Sequence, residues 1–200
     1  MPGGDDTGGD GNGGTTPPAP STLVDGCADL DTDGVADCTV TLVQNPSFTS
    51  DVDGWTAMAG ATWMWDPQNA LDDTPSGSGK LTVETPRGSA VQCVPLTSTN
   101  EIIVAWANVF VEPPDDDSAH NQADVSATFF TSSDCSGVTA GSFEAPASDV
   151  KGAWSVVNAG GVPLMPIGSV SVALNAIKDT PAASASVYFD NVMLETKPTQ

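Results

Sequence analysis

The chain has 200 residues, 39% of them hydrophobic and 16% charged, which is enough apolar material for one core domain and a tail, since domains commonly run to roughly 100 to 200 residues. Its 5 Lys and Arg stand against 26 Asp and Glu, a formal net charge of -21 that repels nucleic acid and anionic membrane surfaces and draws in divalent cations, so a partner is expected to be neutral or cationic. No apolar run is long enough to span a bilayer, so direct membrane insertion is not expected.

Residues 1–22 are Gly, Asp, Thr and Pro with almost nothing to bury, so ordering them would cost entropy without a hydrophobic return. They read as a disordered, flexible tether ending in the stiff spacer Thr-Thr-Pro-Pro-Ala-Pro. Met1 ahead of PGGDDTGGDGNGG is the pattern left when an export signal is trimmed away. The tail resembles the spacer behind the lipidated cysteine of bacterial surface lipoproteins, although that cysteine is absent. The resemblance implies a lipid anchor upstream and an extracellular or bacterial cell-surface location.

Residues 23–38 contain DGCADLDTDGVADC, Asp25 to Cys38. Asp29, Asp31 and Asp33 alternate, Gly34 permits a sharp turn, and Asp37 follows. Hard oxygen ligands at every second position before a glycine let the chain curl so that several carboxylates converge on calcium. The match to an EF-hand stops at Val40, which stands where a bidentate Glu is required, and no helices flank the loop. The pattern resembles the aspartate-rich repeats of the thrombospondin type 3 kind. The competing reading is a solvated acidic loop clasped by a Cys27–Cys38 bridge.

Four cysteines without Cys-x-x-Cys spacing, in a chain rich in Gly, Ser and Thr, point to two disulfides in an exported protein. Sequence leaves the pairing open; Cys27 with Cys38 and Cys93 with Cys135 is the favoured arrangement, which needs each pair within bridging distance. A zinc site is the alternative, and the lone histidine and wide spacing speak against it.

Residues 39–196 have the texture of one all-β domain. Short β-branched and aromatic runs at Thr39–Val43, Ala61–Trp65, Lys80–Thr85, Ser89–Leu96, Ile102–Val111, Ala123–Ser132, Val138–Phe143, Trp154–Gly160, Ser169–Ala176 and Ala185–Glu195 alternate with Gly, Pro, Asp and Ser clusters. None has helical periodicity of useful length, so the expected fold is a β-sandwich. Loops 67–78 and 112–122, the second with Pro113-Pro114 and Asp115-Asp116-Asp117, are too charged and Pro-rich to be strands.

The last run, ASVYFDNVMLE, carries Asp190 between apolar positions. A carboxylate at the edge of a core is costly unless paired or metal-bound. Few cations are on offer in this chain, so calcium is the first candidate. Together with VTLVQNPSFTSDVDGW (Val40–Trp55) and SGSGKLTV (Ser76–Val83), this run resembles the carbohydrate-binding modules of the jelly-roll, galactose-binding-like type. The resemblance spans about Val40 to Glu195. It implies a jelly-roll sandwich of two antiparallel sheets with a structural calcium held by the Asp190 side chain, Thr49, and the carbonyls of Ser47 and Lys80. Thr49 stands where such modules usually carry Glu.

Catalysis is hard to assemble here. His120 is the only histidine and sits near three aspartates in a loop; no Gly-x-Ser-x-Gly, phosphate-cradling glycine loop or His-Glu-x-x-His occurs. With one Arg, one His and one Tyr, a jelly-roll lyase lacks the groups to neutralise and deprotonate a uronate. We therefore expect no enzyme. Sugar recognition needs less: an aromatic face for the C–H side of a pyranose, and amides or carboxylates for its hydroxyls. Trp63 and Trp65, two apart on a strand, share a face, as do Trp106, Asn108 and Phe110. If outward, Trp63, Trp65, Trp106 and Asn108 form a binding platform; if inward, the tryptophans fill the core. Trp55 and Trp154 resemble core positions of the family and are left out of the site. The expected function is non-catalytic binding of a neutral polysaccharide or glycan, and the competing class is a structural or adhesive surface domain with no sugar site.

Overall fold

The computed structural model describes residues 41–70, 77–96, 101–114, 119–180 and 182–198. The proposed tether, the Cys27–Cys38 pair and Asp29, Asp31, Asp33 and Asp37 lie outside the described residues. The strands are β1 (Thr56–Ala57), β2 (Ala61–Asp66), β3 (Ser78–Val83), β4 (Arg87–Pro95), β5 (Glu101–Val111), β6 (Gln122–Phe130), β7 (Thr139–Glu144), β8 (Trp154–Gly161), β9 (Ser169–Ile177) and β10 (Ala185–Pro198). They form two antiparallel five-stranded sheets, ordered β1-β4-β9-β6-β7 and β2-β3-β10-β5-β8, with no helix among the described residues. This is the sandwich of two antiparallel sheets that the strand pattern and the family resemblance implied.

Period-two alternation builds the core. On β5, Ile103, Ala105, Ala107, Val109 and Val111 are buried; on β9, Val170, Val172, Leu174 and Ala176 are. These inward faces stack to make the interior, as two sheets with one apolar face each must.

Of the run at Thr39–Val43, the described residues 41–43 do not form the expected strand. Leu42 and Val43 make bends, and Leu42 N–H donates to Leu194 O at 2.9 Å while Val192 N–H donates to Pro46 O at 2.8 Å. The segment lies along β10 without a regular ladder because Asn45 and Phe48 sit at positive φ (50° and 42°) and Pro46 has no N–H to give. The two-residue β1 pairs with Ala90 and Val91 and is too short to leave a periodic signal. The other predicted strands form, with ends that coincide with the expected ones or differ by at most three residues.

β10 explains how Val187, Phe189, Val192 and Leu194 can all point inward although their spacing changes parity. The register passes from Asp190↔Asn108 to Met193↔Trp106, so β10 advances three residues for two on β5. Asn191, at φ 48°, carries this bulge. The extra residue resets the alternation, and all four apolar side chains are fully buried.

Cys93 and Cys135 are bonded, with Cα atoms 5.8 Å apart. The bridge ties β4 to the turn between β6 and β7.

Candidate functional site

Antiparallel pairing fixes which side chains share a face, because residues directly opposite point the same way. Across the β2-β3-β10-β5-β8 sheet, Met64, Lys80, Tyr188, Phe110 and Trp154 lie in one row. Asp190, Asn108 and Val156 form the next row, and Met193, Trp106 and Asn158 the one beyond. All belong to the outer face, since Leu81, Val109, Val187 and Phe189 between them face the core.

The aromatic row is held by one tilted and one edge-to-face ring contact. Phe110 lies 5.7 Å from Trp154 and 5.7 Å from Tyr188, the second pair nearly perpendicular at 84°. Lys80 Nζ donates to Tyr188 Oη at 2.7 Å, and Glu112 lies 3.4 Å from Lys80 Nζ. Burial alone would lower the Lys80 pKa; the Tyr188 hydroxyl and the Glu112 carboxylate outweigh it and raise the pKa, keeping the ammonium charged. Tyr188 is buried beneath these contacts, whereas Trp106, Asn108, Phe110 and Trp154 are half-exposed and Val156 and Asn158 are exposed.

Of the four residues expected to bind sugar, the structure brings Trp106 and Asn108 together on this face. Trp63 and Trp65 share a face, but it is the inner one. Trp63 pairs with the buried Leu81, packs 5.4 Å from Phe48 and 6.4 Å from Phe189, and lies on Gly79, where a Cβ would come within 1.8 Å of the indole. Trp65, at the open end of that face, donates its indole N–H to Phe48 O at 2.7 Å and stays 38% exposed. Both close one end of the sandwich and neither belongs to the Trp106 platform. On β2 it is Met64, 51% exposed, that looks outward. Trp55 is buried, as its likeness to a core position implied. Trp154, assigned to the core by the same likeness, stands on the outer face beside Phe110. The alternation of Trp154, Val156 and Asn158 against the buried Val157 was the signal that could have placed it.

Asp190 is completely buried. Its carboxylate accepts from Ala70 N–H at 2.9 Å and from Asn191 N–H at 2.7 Å. The turn holding Ser47 and Thr49 reaches β10 through the Pro46–Val192 hydrogen bond. Lys80 sits in the ladder between Met64 and Tyr188, two positions from the Asp190 row. Extending the Gly79↔Phe189 register by one residue sets Ser78 opposite Asp190, and Ser78 Oγ is buried without a hydrogen-bond partner. An orphaned hydroxyl beside a buried carboxylate fits a hard cation. Among the described residues, no three His, Cys, Asp or Glu side chains converge as a metal cluster, so an ion here would draw on carbonyls and hydroxyls as well as Asp190.

The other sheet carries a second polar group on its outer face. Arg87 donates to both oxygens of Asp124 at 3.1 Å and to Glu144 at 2.7 Å, while Asn175 donates to Asp124 at 2.6 Å and accepts from Ser89 at 2.6 Å. Burial pushes the Asp124 pKa up to about 6 although Asn175 and Arg87 pull it down. Arg87 clamps both carboxylates.

No protein-family model matches the chain, and no curated protein matches it either. Among solved structures, the CBM22-1 xylan-binding domain from Paenibacillus barcinonensis Xyn10C is similar with a TM-score of 0.56 and 16% identity, over 77% of this chain and 93% of that one. The fold matches the jelly-roll sandwich of carbohydrate-binding modules. A xylan-binding domain from CBM 22 is similar with a TM-score of 0.52 and 15% identity, over 80% of this chain and 98% of that one. The enzymatically active domain of bacteriophage CBA120 tailspike protein 4 gives 0.59 at 14% identity over 78% of this chain, which spans 21% of that one. At such identities the likeness is one of fold.

Proposed function

We propose that the chain is a non-catalytic carbohydrate-binding module of an exported or surface-anchored protein, with residues 39–196 as the binding domain behind a tether and an Asp-rich loop. The observation that carries this reading is the outer face where Trp106, Asn108, Phe110 and Trp154 stand together, two indoles with an amide between their rows. Such a surface offers a π-face to the apolar side of a sugar ring and hydrogen bonds to its hydroxyls. That two structural neighbours are xylan-binding domains supports the ligand class, and the Cys93–Cys135 bond supports an oxidising compartment. A calcium ion held by Asp190 with Thr49 and the Ser47 and Lys80 carbonyls belongs to the same reading. It would supply a structural cross-link, and a second ion would occupy the Asp29–Asp37 loop.

The test is affinity electrophoresis in gels containing neutral polysaccharides: xylan, galactomannan and mixed-linkage β-glucan. We expect retardation of the native protein by at least one, and Trp106→Ala or Trp154→Ala to weaken that affinity at least tenfold, about 1.4 kcal/mol. Trp63→Ala should lower stability and leave the affinity of the folded fraction alone. A structural or adhesive surface domain, the reading favoured by the 88% exposed Leu164 and the neighbouring Met165, predicts no retardation by any glycan.

A further inference from the structure

The charges of this chain avoid one part of the molecule. Between Glu101 and Glu112, and again from Gly152 to Ile177, there is no Asp, Glu, Lys or Arg, although the chain carries a net charge of -21. The first segment is the body of β5 and the second includes all of β8, and these two strands are paired from Ile103↔Gly161 to Phe110↔Trp154. Their outer residues therefore make an uncharged lane running from Trp154, through exposed Val156 and Asn158, to the far end of the strands. One step past the last pair the register carries Val162, 54% exposed, beside Ile102. Eight residue steps of extended chain, from Trp154 to Val162, make this lane about 27 Å long.

The β10-β3 half of the same face is closed. Tyr188 is 5% exposed under the Lys80–Glu112 ion pair, and Asp190 lies buried behind the backbone of Ala70. A ligand crossing the strands from Trp154 toward Met64 would meet that ion pair and have to desolvate it. A ligand lying along the strands meets rings, valines and the amides of Asn108 and Asn158, and comes beside charged positions only at the far end, where Glu195 and Lys197 pair with Val104 and Ile102.

We infer that the glycan lies lengthwise on β5 and β8, so that the lane reads an internal stretch of a linear, uncharged polysaccharide. This rests on the carbohydrate-binding reading above and adds the ligand's course, its lack of acidic substituents, and Val156 and Val162 as contact residues. A uronate-bearing chain would bring carboxylates onto two strands that carry no cation between Ile102 and Val111 or along β8, inside the field of a strongly acidic protein.

The experiment measures retardation in the same xylan, galactomannan and β-glucan gels for Val156→Asp, Val162→Asp and Met64→Asp, with melting curves alongside. All three positions are exposed, at 58%, 54% and 51%. Val156→Asp and Val162→Asp should each weaken retardation about fivefold or more, and Met64→Asp should change it less than about twofold. Val162→Gln serves in place of the aspartate variant if that one melts early, with a smaller loss expected. Undiminished retardation of the Val162 variants, or a loss with Met64→Asp equal to that at Val156, overturns the lengthwise course while leaving sugar binding in place. A native protein retarded by none of the three gels overturns sugar binding itself.

Discussion

Asp124 shows what a single side chain can do to this fold's stability. Its carboxyl is completely buried, and burial raises its pKa to about 6 against the opposing pull of Asn175 and Arg87. The folded form thus keeps a proton that the unfolded chain, at an ordinary carboxylate pKa of about 3.9, has already released. Between about pH 4 and 6 the unfolded state binds fewer protons than the folded one, so stability falls as pH rises through that window and levels off above it. Asp124→Asn should flatten this slope in denaturant midpoints measured from pH 4 to 7; a slope unchanged by the substitution would show that other groups set it. The tryptophans make the complementary point about legibility. Period two in β2 showed that Trp63 and Trp65 share a face, but it could not say which, because Thr62, Met64 and Asp66 alternate equally well with either choice. What decided it was Gly79 on the next strand, whose missing side chain gives the Trp63 ring its seat. That pairing is a tertiary fact. Replacing Trp63 with Ala would empty this seat and cost about 3–5 kcal/mol of stability, read as a lowered denaturant midpoint.

Among the elements, β10 is the one the sheet depends on, pairing with β3 on one side and β5 on the other. Its apolar residues were visible in the sequence. The bulge at Asn191 was not, since it is defined by what β5 does opposite. The same holds at the start of the domain: TVTLV has strand composition, yet the turn that follows, with Asn45 and Phe48 at positive φ, leaves Leu42 and Val43 beside β10 without a ladder. Elsewhere alternation and turn residues were sufficient, because long strands with one dry face repeat the same signal several times. The Cys93–Cys135 bond joins elements far apart in sequence, closing 42 residues, for which loop entropy in the unfolded chain gives about 4 kcal/mol. Replacing both cysteines with Ser should lower the unfolding free energy by about 2–4 kcal/mol, measured by urea titration. A loss below about 0.5 kcal/mol would mean that the unfolded chain is already held compact near this turn.

At the scale of the molecule, charge and shape are divided. Acidic residues crowd the loops and the N-terminal residues, while β5 beyond Glu101 and all of β8 carry none. Composition announced the acidity, but only the pairing of β5 with β8 turned two uncharged segments of sequence into one surface. Such a surface, in a protein that repels polyanions, suits a neutral glycan. The same acidity makes divalent cations natural stabilisers. A ion bound to the folded state alone adds RT ln(1 + [L]/Kd) to its stability. EDTA should therefore lower the melting temperature and calcium restore it. A melting curve indifferent to both would remove the ion sites proposed at Asp190 and in the Asp29–Asp37 loop.

The five tryptophans are natural reporters of where sugar lands, because Trp106 and Trp154 share the outer face while Trp55, Trp63 and Trp65 serve the core and its closing end. The most direct measurement is a proton–nitrogen NMR titration of the indole N–H signals with oligosaccharides from whichever neutral polysaccharide retards the native protein. The indoles of Trp106 and Trp154 should shift together and saturably while those of Trp55, Trp63 and Trp65 stay in place. Shifts confined to Trp63 and Trp65, or no shift in any of the five, would contradict a sugar-binding face on β5 and β8.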